Sequence, residues 1–194
     1  MKEKSVKSKI VSTAWRLFYE KGYTETTVDE IIEQSGTSKG SFYYYFRTKD
    51  ELLNSLSQVF DEFYEELETK MDPNMNCFDK LLYLNYEAHK LVEEQINIDI
   101  LASLYSTQLV AIGKRHLLDH TRTYYTLLTR IITEGQHRGE ILDTLPAHEI
   151  TDYYAMCERS MVTEWCLNKG SYSLSGFSKK YMPIMLEHFR IKHE

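Results

Sequence analysis

The sequence predicts an all-α fold of about nine helices, a compact N-terminal group of three followed by a larger helical remainder. Three observations predict it. Only 8 of the 194 residues are Gly and 3 are Pro, too few for the repeated turns of a sandwich or barrel. Apolar residues recur three and four apart along most of the chain, with no strand-like alternation. Hydrophobic residues make up 42% and charged residues 27%, enough over this length to bury a core in one large domain or two small ones, which excludes disorder.

Each helix has its own warrant. From Ser5 to Lys21 the positions Val6, Ile10, Ala14, Leu17 and Phe18 form one stripe, and Gly22 stands where a C-terminal cap belongs. Thr27-Val28-Asp29-Glu30 reads as a capping box and starts a short helix that turns Val28, Ile31 and Ile32 inward. Gly36 breaks that helix, Thr37 or Ser38 can cap the next, and the third runs through Phe42 to about Phe46. Thr48-Lys49-Asp50-Glu51 repeats the capping box and opens a long helix with the stripe Leu52, Leu56, Val59, Phe60, Phe63 and Leu67, ended by Asp72-Pro73-Asn74. Residues 78–94 carry apolar and aromatic side chains on more than one face, as a central helix would. A segment from about Ile98 to Val110 follows, with Gly113 as punctuation. Leu117, Leu118, Thr121, Tyr124, Tyr125, Leu128, Ile131 and Ile132 then mark a long helix closing near Gly135 to Gly139. Pro146 fits the first turn of a helix running to about Lys169, Gly170 to Gly176 reads as a loop, and Phe177, Tyr181, Ile184, Met185 and His188 line the last helix.

Composition narrows the function. No apolar run reaches the 18 or more residues that cross a bilayer, and the lysine-rich start, Met1 to Lys9, lacks the apolar block of a secretory signal. A soluble, cytoplasmic protein with no membrane partner is expected. Cys77, Cys157 and Cys166 are odd in number and include no CxxC pair, so neither a disulfide framework nor a zinc ribbon is indicated. Cys157 and Cys166 are expected to be buried and inert, with redox sensing as the alternative. His116 and His120, four apart, could share a metal, but no third ligand accompanies them and no metal is expected. With no nucleophile elbow, phosphate-binding glycine loop or dinucleotide fingerprint, neither an enzyme nor a cofactor is expected.

The net charge of -6 hides an asymmetry. Residues 1–50 hold nine Lys or Arg against seven Asp or Glu, so the acidity belongs to the remainder. A basic head on an acidic body suits a chain whose N-terminal part alone faces a polyanion, although a solvated lysine tail would look the same.

Two short helices separated by Gly36 have the arrangement of a helix-turn-helix, whose second helix enters a major groove. On a helical wheel Phe42 and Phe46 face inward, Gly40, Ser41 and Tyr44 lie roughly opposite, and Tyr43 and Tyr45 flank them. The candidate DNA contacts are therefore Thr37, Ser38, Lys39, Gly40, Ser41, Tyr43 and Tyr44, with Thr27 and Lys49 adding helix N-terminal contacts to phosphate. Any one of the three tyrosines could instead pack against the first helix.

The run Gly36-Thr37-Ser38-Lys39-Gly40-Ser41-Phe42-Tyr43-Tyr44-Tyr45-Phe46-Arg47-Thr48-Lys49-Asp50-Glu51-Leu52 resembles the signature of the TetR family of transcriptional regulators, as do Leu17-Phe18, Gly22-Tyr23 and Thr26-Thr27-Val28. The likeness covers about residues 10 to 53. It departs from the family at Thr37, where an aliphatic residue is usual, and near Ile32 and Ser35, where small alanines are. The resemblance implies a DNA-binding domain over residues 1–47 and a ligand-binding and dimerisation domain over residues 48–194. It also implies a homodimer through the last two helices, a double-stranded operator as partner, and a repressor released by a small-molecule inducer. The alternative is a similar fold that binds DNA constitutively or under a protein partner, with a body filled by side chains.

The body holds many amphipathic aromatics, among them Tyr124, Tyr153 and Tyr154, together with Met156, Glu87 and Glu158. Tyr83, Tyr86, His89, Tyr105, Tyr125, Met161 and Trp165 are the candidate ligand contacts, because a cavity between helices wants an apolar lining with a few polar groups. Tyrosine faces and hydroxyls point to an aromatic or cationic ligand. A ligand wedged among the helices near residues 78–94, 117–135 and 147–169 is expected to displace the helix after Thr48 and so the reading head.

Overall fold

Helix initiation in the N-terminal half rests on hydroxyl caps. In the computed structural model, which describes residues 5–110 and 115–192, Ser5, Thr27 and Ser38 each accept a backbone N–H three residues on, starting α1 (Val6–Lys21), α2 (Val28–Ser35) and α3 (Lys39–Tyr45). Gly36 closes α2 with left-handed backbone at φ 64°, a conformation that costs a glycine nothing. After it come α4 (Asp50–Leu53), α5 (Ser55–Lys70), α6 (Cys77–Gln95), α7 (Ile98–Val110), α8 (Thr123–His137), α9 (Ala147–Leu167) and α10 (Leu174–Leu186). Single 3₁₀ turns lie at His116–Leu118 and Glu187–Phe189. The punctuation expected at Gly113 lies outside the described residues, as do Lys2 and Lys4 of the basic start.

Several boundaries differ from the sequence reading. The long helix after Thr48 is interrupted at Asn54, which makes ten α-helices among the described residues where nine were expected. No side chain caps α4; the Glu51 carboxylate reaches back past Thr48 to the backbone N–H of Arg47, at 2.9 Å. Leu117 and Leu118 are not on the helix that holds Tyr124. The Asp119 carboxylate takes both the N–H and the hydroxyl of Thr121, at 3.1 and 2.7 Å, a local turn that delays the helix to Thr123. Pro146 caps α9 from outside, since its fixed φ suits the cap position as well as the first turn. Ser173 caps α10, so the expected loop gives up its last residues to helix, and α10 stops at Leu186. Val59 is exposed while Leu53 and Tyr64 are buried: the break at Asn54 resets the stripe.

The described residues divide into two compact units, one from Met1–Val59 with Asn97–Leu117 and one from Phe60–Ile96 with Leu118–Glu194. In the first, α1 packs on α2 and α3, and α4 packs on α7. Its core includes Ile10, Ala14, Leu17, Phe18, Ile31, Phe42 and Leu52, and the Trp15 indole N–H donates to the Ser55 hydroxyl at 2.8 Å. In the second, α6 packs on α8 and α10, and α9 on α8 and α10, around Phe78, Leu84, Leu128, Ile132, Tyr154 and Met182. An isolated antiparallel bridge, Ile141 to Arg190, pins the α8–α9 connection to the C-terminal segment. Among the described residues no helix is long and apolar enough to cross a membrane.

Candidate functional site

The surface around α3 begins with what it buries. Phe42 is fully buried and Phe46 is 6% exposed, and each such ring contributes roughly 1.5–3 kcal/mol to holding the seven-residue helix against its neighbours. That anchoring fixes the opposite face outward. Tyr44 is 81% exposed, Tyr43 and Tyr45 are also exposed, and Lys39 and Gly40 lie in the open. The Tyr44 and Tyr45 rings meet edge to face, with centroids 4.8 Å apart. Ser38 is occupied by its cap, while the Ser41 hydroxyl lies 2.9 Å from it, half-buried. The Thr37 hydroxyl bonds Ser35 at 2.8 Å. Thr27 accepts the Glu30 N–H at 3.2 Å. The Glu30 carboxyl is held below its ordinary pKa, first by the Lys21 ammonium and also by the Thr27 backbone N–H that completes the capping box. Lys39 pairs loosely with Asp29 at 3.6 Å, both largely exposed, an arrangement that phosphate can displace.

Lys49 is placed differently. Its ammonium donates to the carbonyls of Tyr23 and Thr26 at 2.7 and 2.8 Å, lies 3.5 Å from that of Thr24, and sits 4.2 Å above the Tyr23 ring. Three carbonyls and a ring face enclose the charge, and desolvation lowers its pKa. The Tyr23 hydroxyl in turn donates to Asp50. This lysine ties the α1–α2 connection to the start of α4.

The expected ligand contacts fall into separate places. Tyr105 is half-buried on α7 in the first unit; the other six belong to the second. There His89 and Met161 meet through one residue: the Ser178 hydroxyl pairs with His89 Nδ1 and lies 3.8 Å from the Met161 sulfur. Trp165 gives its indole N–H to the Tyr172 carbonyl at 2.8 Å. Tyr83 and Tyr86 are half-buried, with the Lys179 ammonium 6.0 Å from the Tyr86 ring. Tyr125 is buried, accepts the Arg159 guanidinium on its hydroxyl at 3.0 Å, and stacks on His120 at 4.4 Å. It forms part of a surface groove of about 730 Å³ along α8 that also involves Thr129, Arg130, Thr133 and His137.

Tyr124, whose ring meets that of Tyr125 edge to face, belongs to a polar cluster that sequence reasoning did not assemble. Glu158 on α9 is buried, and its carboxylate receives the hydroxyls of Tyr64, at 3.3 Å, and Tyr124, together with the Asn85 amide N–H at 3.3 Å. His89 Nε2 stands 3.9 Å from the same carboxylate, beyond hydrogen-bond reach. Burial pushes the Glu158 carboxyl up from its ordinary pKa and holds the His89 imidazole down at about 3, so the histidine is neutral and supplies no counter-charge. Burial raises the Tyr64 and Tyr124 hydroxyls well above their usual range, so both remain donors. Among the described residues Asn85 Oδ1 and His89 Nε2 have no hydrogen-bond partner. The signal available in the sequence was the presence of Asn85 and Ser178 within otherwise apolar helix faces. Tyr64 gave no such signal, because a tyrosine on a core stripe reads simply as packing.

His116 lies in the 3₁₀ turn and His120 in the turn before α8, so they share no helical face; His120 instead approaches Asp152 at 3.3 Å. Among the described residues no three His, Cys, Asp or Glu side chains gather as a metal site. Burial raises all three thiol pKa values, those of Cys77 and Cys166 to about 11, which keeps them protonated and poorly nucleophilic.

Residues 10–56 match the family described as bacterial regulatory proteins, tetR family, and residues 56–188 match the C-terminal region of YsiA-like proteins. The fatty acid metabolism regulator protein of Bacillus subtilis is 26% identical over 188 residues, spanning 96% of this chain and 97% of that one. The FadR structure from Bacillus subtilis in complex with stearoyl-CoA superposes with a TM-score of 0.72 at 23% identity, over 94% of this chain and 98% of that one. Thermus thermophilus FadR in complex with lauroyl-CoA gives a TM-score of 0.73 at 18% identity, over 96% of each chain. The two superpositions establish a shared fold.

Proposed function

Because the chain belongs to the TetR family of bacterial regulatory proteins, which are DNA-binding transcriptional regulators and not enzymes, we propose that it is a homodimeric repressor released from its operator by a small molecule. The observation that carries the proposal is the outward face of α3, an 81%-exposed Tyr44 beside Lys39 and Gly40 on a helix anchored through Phe42 and Phe46. Such a face presents tyrosine hydroxyls and a lysine to phosphate, and backbone without a side chain to base edges. Residues 1–47 are the reading domain in this proposal, and Thr27, Thr37, Ser38, Lys39, Gly40, Ser41, Tyr43 and Tyr44 carry the DNA contacts. Residues 48–194 bind the ligand and pair the protomers.

Pairing is supported by α9 and α10, which bury one side and leave Met156 52%, Leu167 74% and Ile184 67% exposed on the other. A four-helix junction of α9 and α10 with their symmetry mates covers such apolar residues and sets two copies of α3 at a fixed spacing for a near-palindromic site. The packing of α7 on α4 within the unit that also holds α3 supports a route for release, since a ligand that shifts α7 would carry the start of α4 with it. Coupling of about 1–3 kcal/mol is enough to weaken operator binding roughly 5- to 150-fold. The fatty acid regulator of Bacillus subtilis and the acyl-CoA-bound FadR structures make a long-chain acyl-CoA the first inducer to test.

The experiment is a fluorescence-anisotropy titration against DNA upstream of the protein's own gene, at several salt concentrations, with and without stearoyl-CoA or lauroyl-CoA. Salt-sensitive, sequence-selective binding relieved by a small molecule supports the proposal. Selective binding that no small molecule relieves would favour a constitutive or protein-controlled regulator, and absence of selective binding would refute the reading of α3.

A further inference from the structure

The second unit holds a buried acid, Glu158, to which no charged cation is bonded among the described residues; its buried lysine, Lys80, pairs with Glu134 instead. Glu158 is 8% exposed, and the bonds it receives come from neutral donors, Tyr64, Tyr124 and Asn85. Among the described residues the Arg159 charge acts on Glu158 only at a distance, lowering a pKa that burial raises, and forms its bond elsewhere. The Arg159 guanidinium is held by the Tyr125 hydroxyl at 3.0 Å, Arg122 by Asp61 at 3.1 Å, and His89 stays neutral in its dry surroundings. A carboxylate removed from water needs a paired charge, and without one it favours protonation. Around it converge two further unsatisfied atoms, Asn85 Oδ1 and His89 Nε2, on residues each 1% exposed. When His89 Nδ1 donates to Ser178, Nε2 presents a lone pair 3.9 Å from the carboxylate, and Asn85 Oδ1, on the amide that bonds the same carboxylate, is a further acceptor without a partner. A ligand carbonyl or carboxylate would meet repulsion there, whereas N–H groups would meet acceptors. The rings of Tyr64 and Tyr124, tilted by 52° with centroids 5.1 Å apart, add quadrupole attraction for a positive charge.

We propose that Glu158 is the buried counter-ion for a cationic amine or amidine on an amphipathic small molecule, with Asn85 and His89 accepting its N–H groups and the Tyr64 and Tyr124 rings packing against it. The inference rests on the reading that the body takes a small-molecule inducer, and it assigns that inducer a chemical class different from an acyl thioester. Entry follows from the packing on α8. The Tyr125 ring borders the groove of about 730 Å³, and Tyr124, which holds Glu158, touches that ring at 5.0 Å. Rotation of two adjacent aromatic side chains would connect groove and carboxylate.

The test is calorimetric titration of the full-length protein with 4-phenylbutylammonium and with 4-phenylbutanol, which share an apolar body and differ in charge, alongside lauroyl-CoA, each repeated with operator-release measurements. The expected result is a preference for the ammonium of at least roughly 30-fold, falling to within about twofold in Glu158→Gln. Equal binding of the ammonium and the alcohol by the unaltered protein overturns the proposal, and this comparison stands even if the variant folds poorly. Binding and release by lauroyl-CoA alone overturns the cationic assignment while leaving the ligand-released repressor intact. If neither class binds and neither releases the operator, both readings fall.

Discussion

Replacing Lys49 with Met separates two roles that the sequence cannot distinguish. The substitution keeps an unbranched side chain over the Tyr23 ring and removes the ammonium that bonds the Tyr23 and Thr26 carbonyls at 2.7 and 2.8 Å. A net hydrogen bond to a charged group is worth about 1.5–3 kcal/mol, and Lys49 retains some solvent contact, so the pair together should be worth about 2 kcal/mol. In a chain of this size that corresponds to a fall of roughly 4–8 °C in the unfolding midpoint. Calorimetry and operator titration across salt concentrations together read the role. An internal tie predicts the stability loss and weaker binding with an unchanged salt slope. A phosphate contact predicts the reverse: little loss of stability and a slope smaller by about 0.9 per protomer, or about 2 for a dimer. A shallower slope without destabilisation would refute the argument from the three enclosing carbonyls.

The remaining predictions test other parts of the molecule. Tyr44→Ala removes an exposed ring and should weaken operator binding about tenfold, with stability within about 0.5 kcal/mol of the parent; unchanged affinity would mean that the outward face of α3 does not meet DNA. His89, held at about 3 against an ordinary 6.5, binds fewer protons folded than unfolded between those values, so its contribution to stability is present above about 6.5 and is lost as pH falls through the window. At pH 5 the loss attributable to it is about 2 kcal/mol, which His89→Gln should abolish in urea unfolding compared between pH 7 and 5. Glu158, with its pKa raised, acts in the opposite direction above 4.5 but is common to both proteins, so identical pH dependence in parent and variant would contradict the assignment. Gly135→Ala would place a Cβ 2.6 Å from Ile141 Cδ1 and 2.9 Å from Cys77 Cβ, and should cost about 1–3 kcal/mol despite alanine's better helix propensity; a stabilised variant in thermal melts would show that the α8–α9 connection yields.

What was legible in the sequence follows physical range. The cap at Thr27, the break at Gly36 and the inward Phe42 and Phe46 depend on residues within one helical turn, so spacing located them; it left the cap of α3 open between Thr37 and Ser38, and the structure uses Ser38. The start of α8 was misplaced because Leu117 and Leu118 continue an apolar period while Asp119 captures Thr121 locally, and a side chain competing with the helical ladder leaves no mark on hydrophobic spacing. The cluster around Glu158 of α9 draws Tyr64, Asn85, His89, Tyr124 and Ser178 from four other helices, separated by up to 94 positions in the bond from Tyr64 to Glu158, and no local pattern encodes that convergence. Lys49 shows the same limit from the other side. Its motif position suggested a lysine for phosphate, but an ammonium reaches whichever acceptors tertiary structure brings within 3 Å, and here those are carbonyls 23 and 26 positions back in the chain. Lys21 is likewise paired with Glu30, and Arg16 with Glu20. Among the described head residues Lys7, Lys9 and Arg47 are left as exposed cations without an acidic partner, and Lys39 is held only loosely. The modest positive balance of residues 1–50 therefore overstates the charge available to a duplex, which moves the weight of recognition from bulk electrostatics to the tyrosines and backbone of α3.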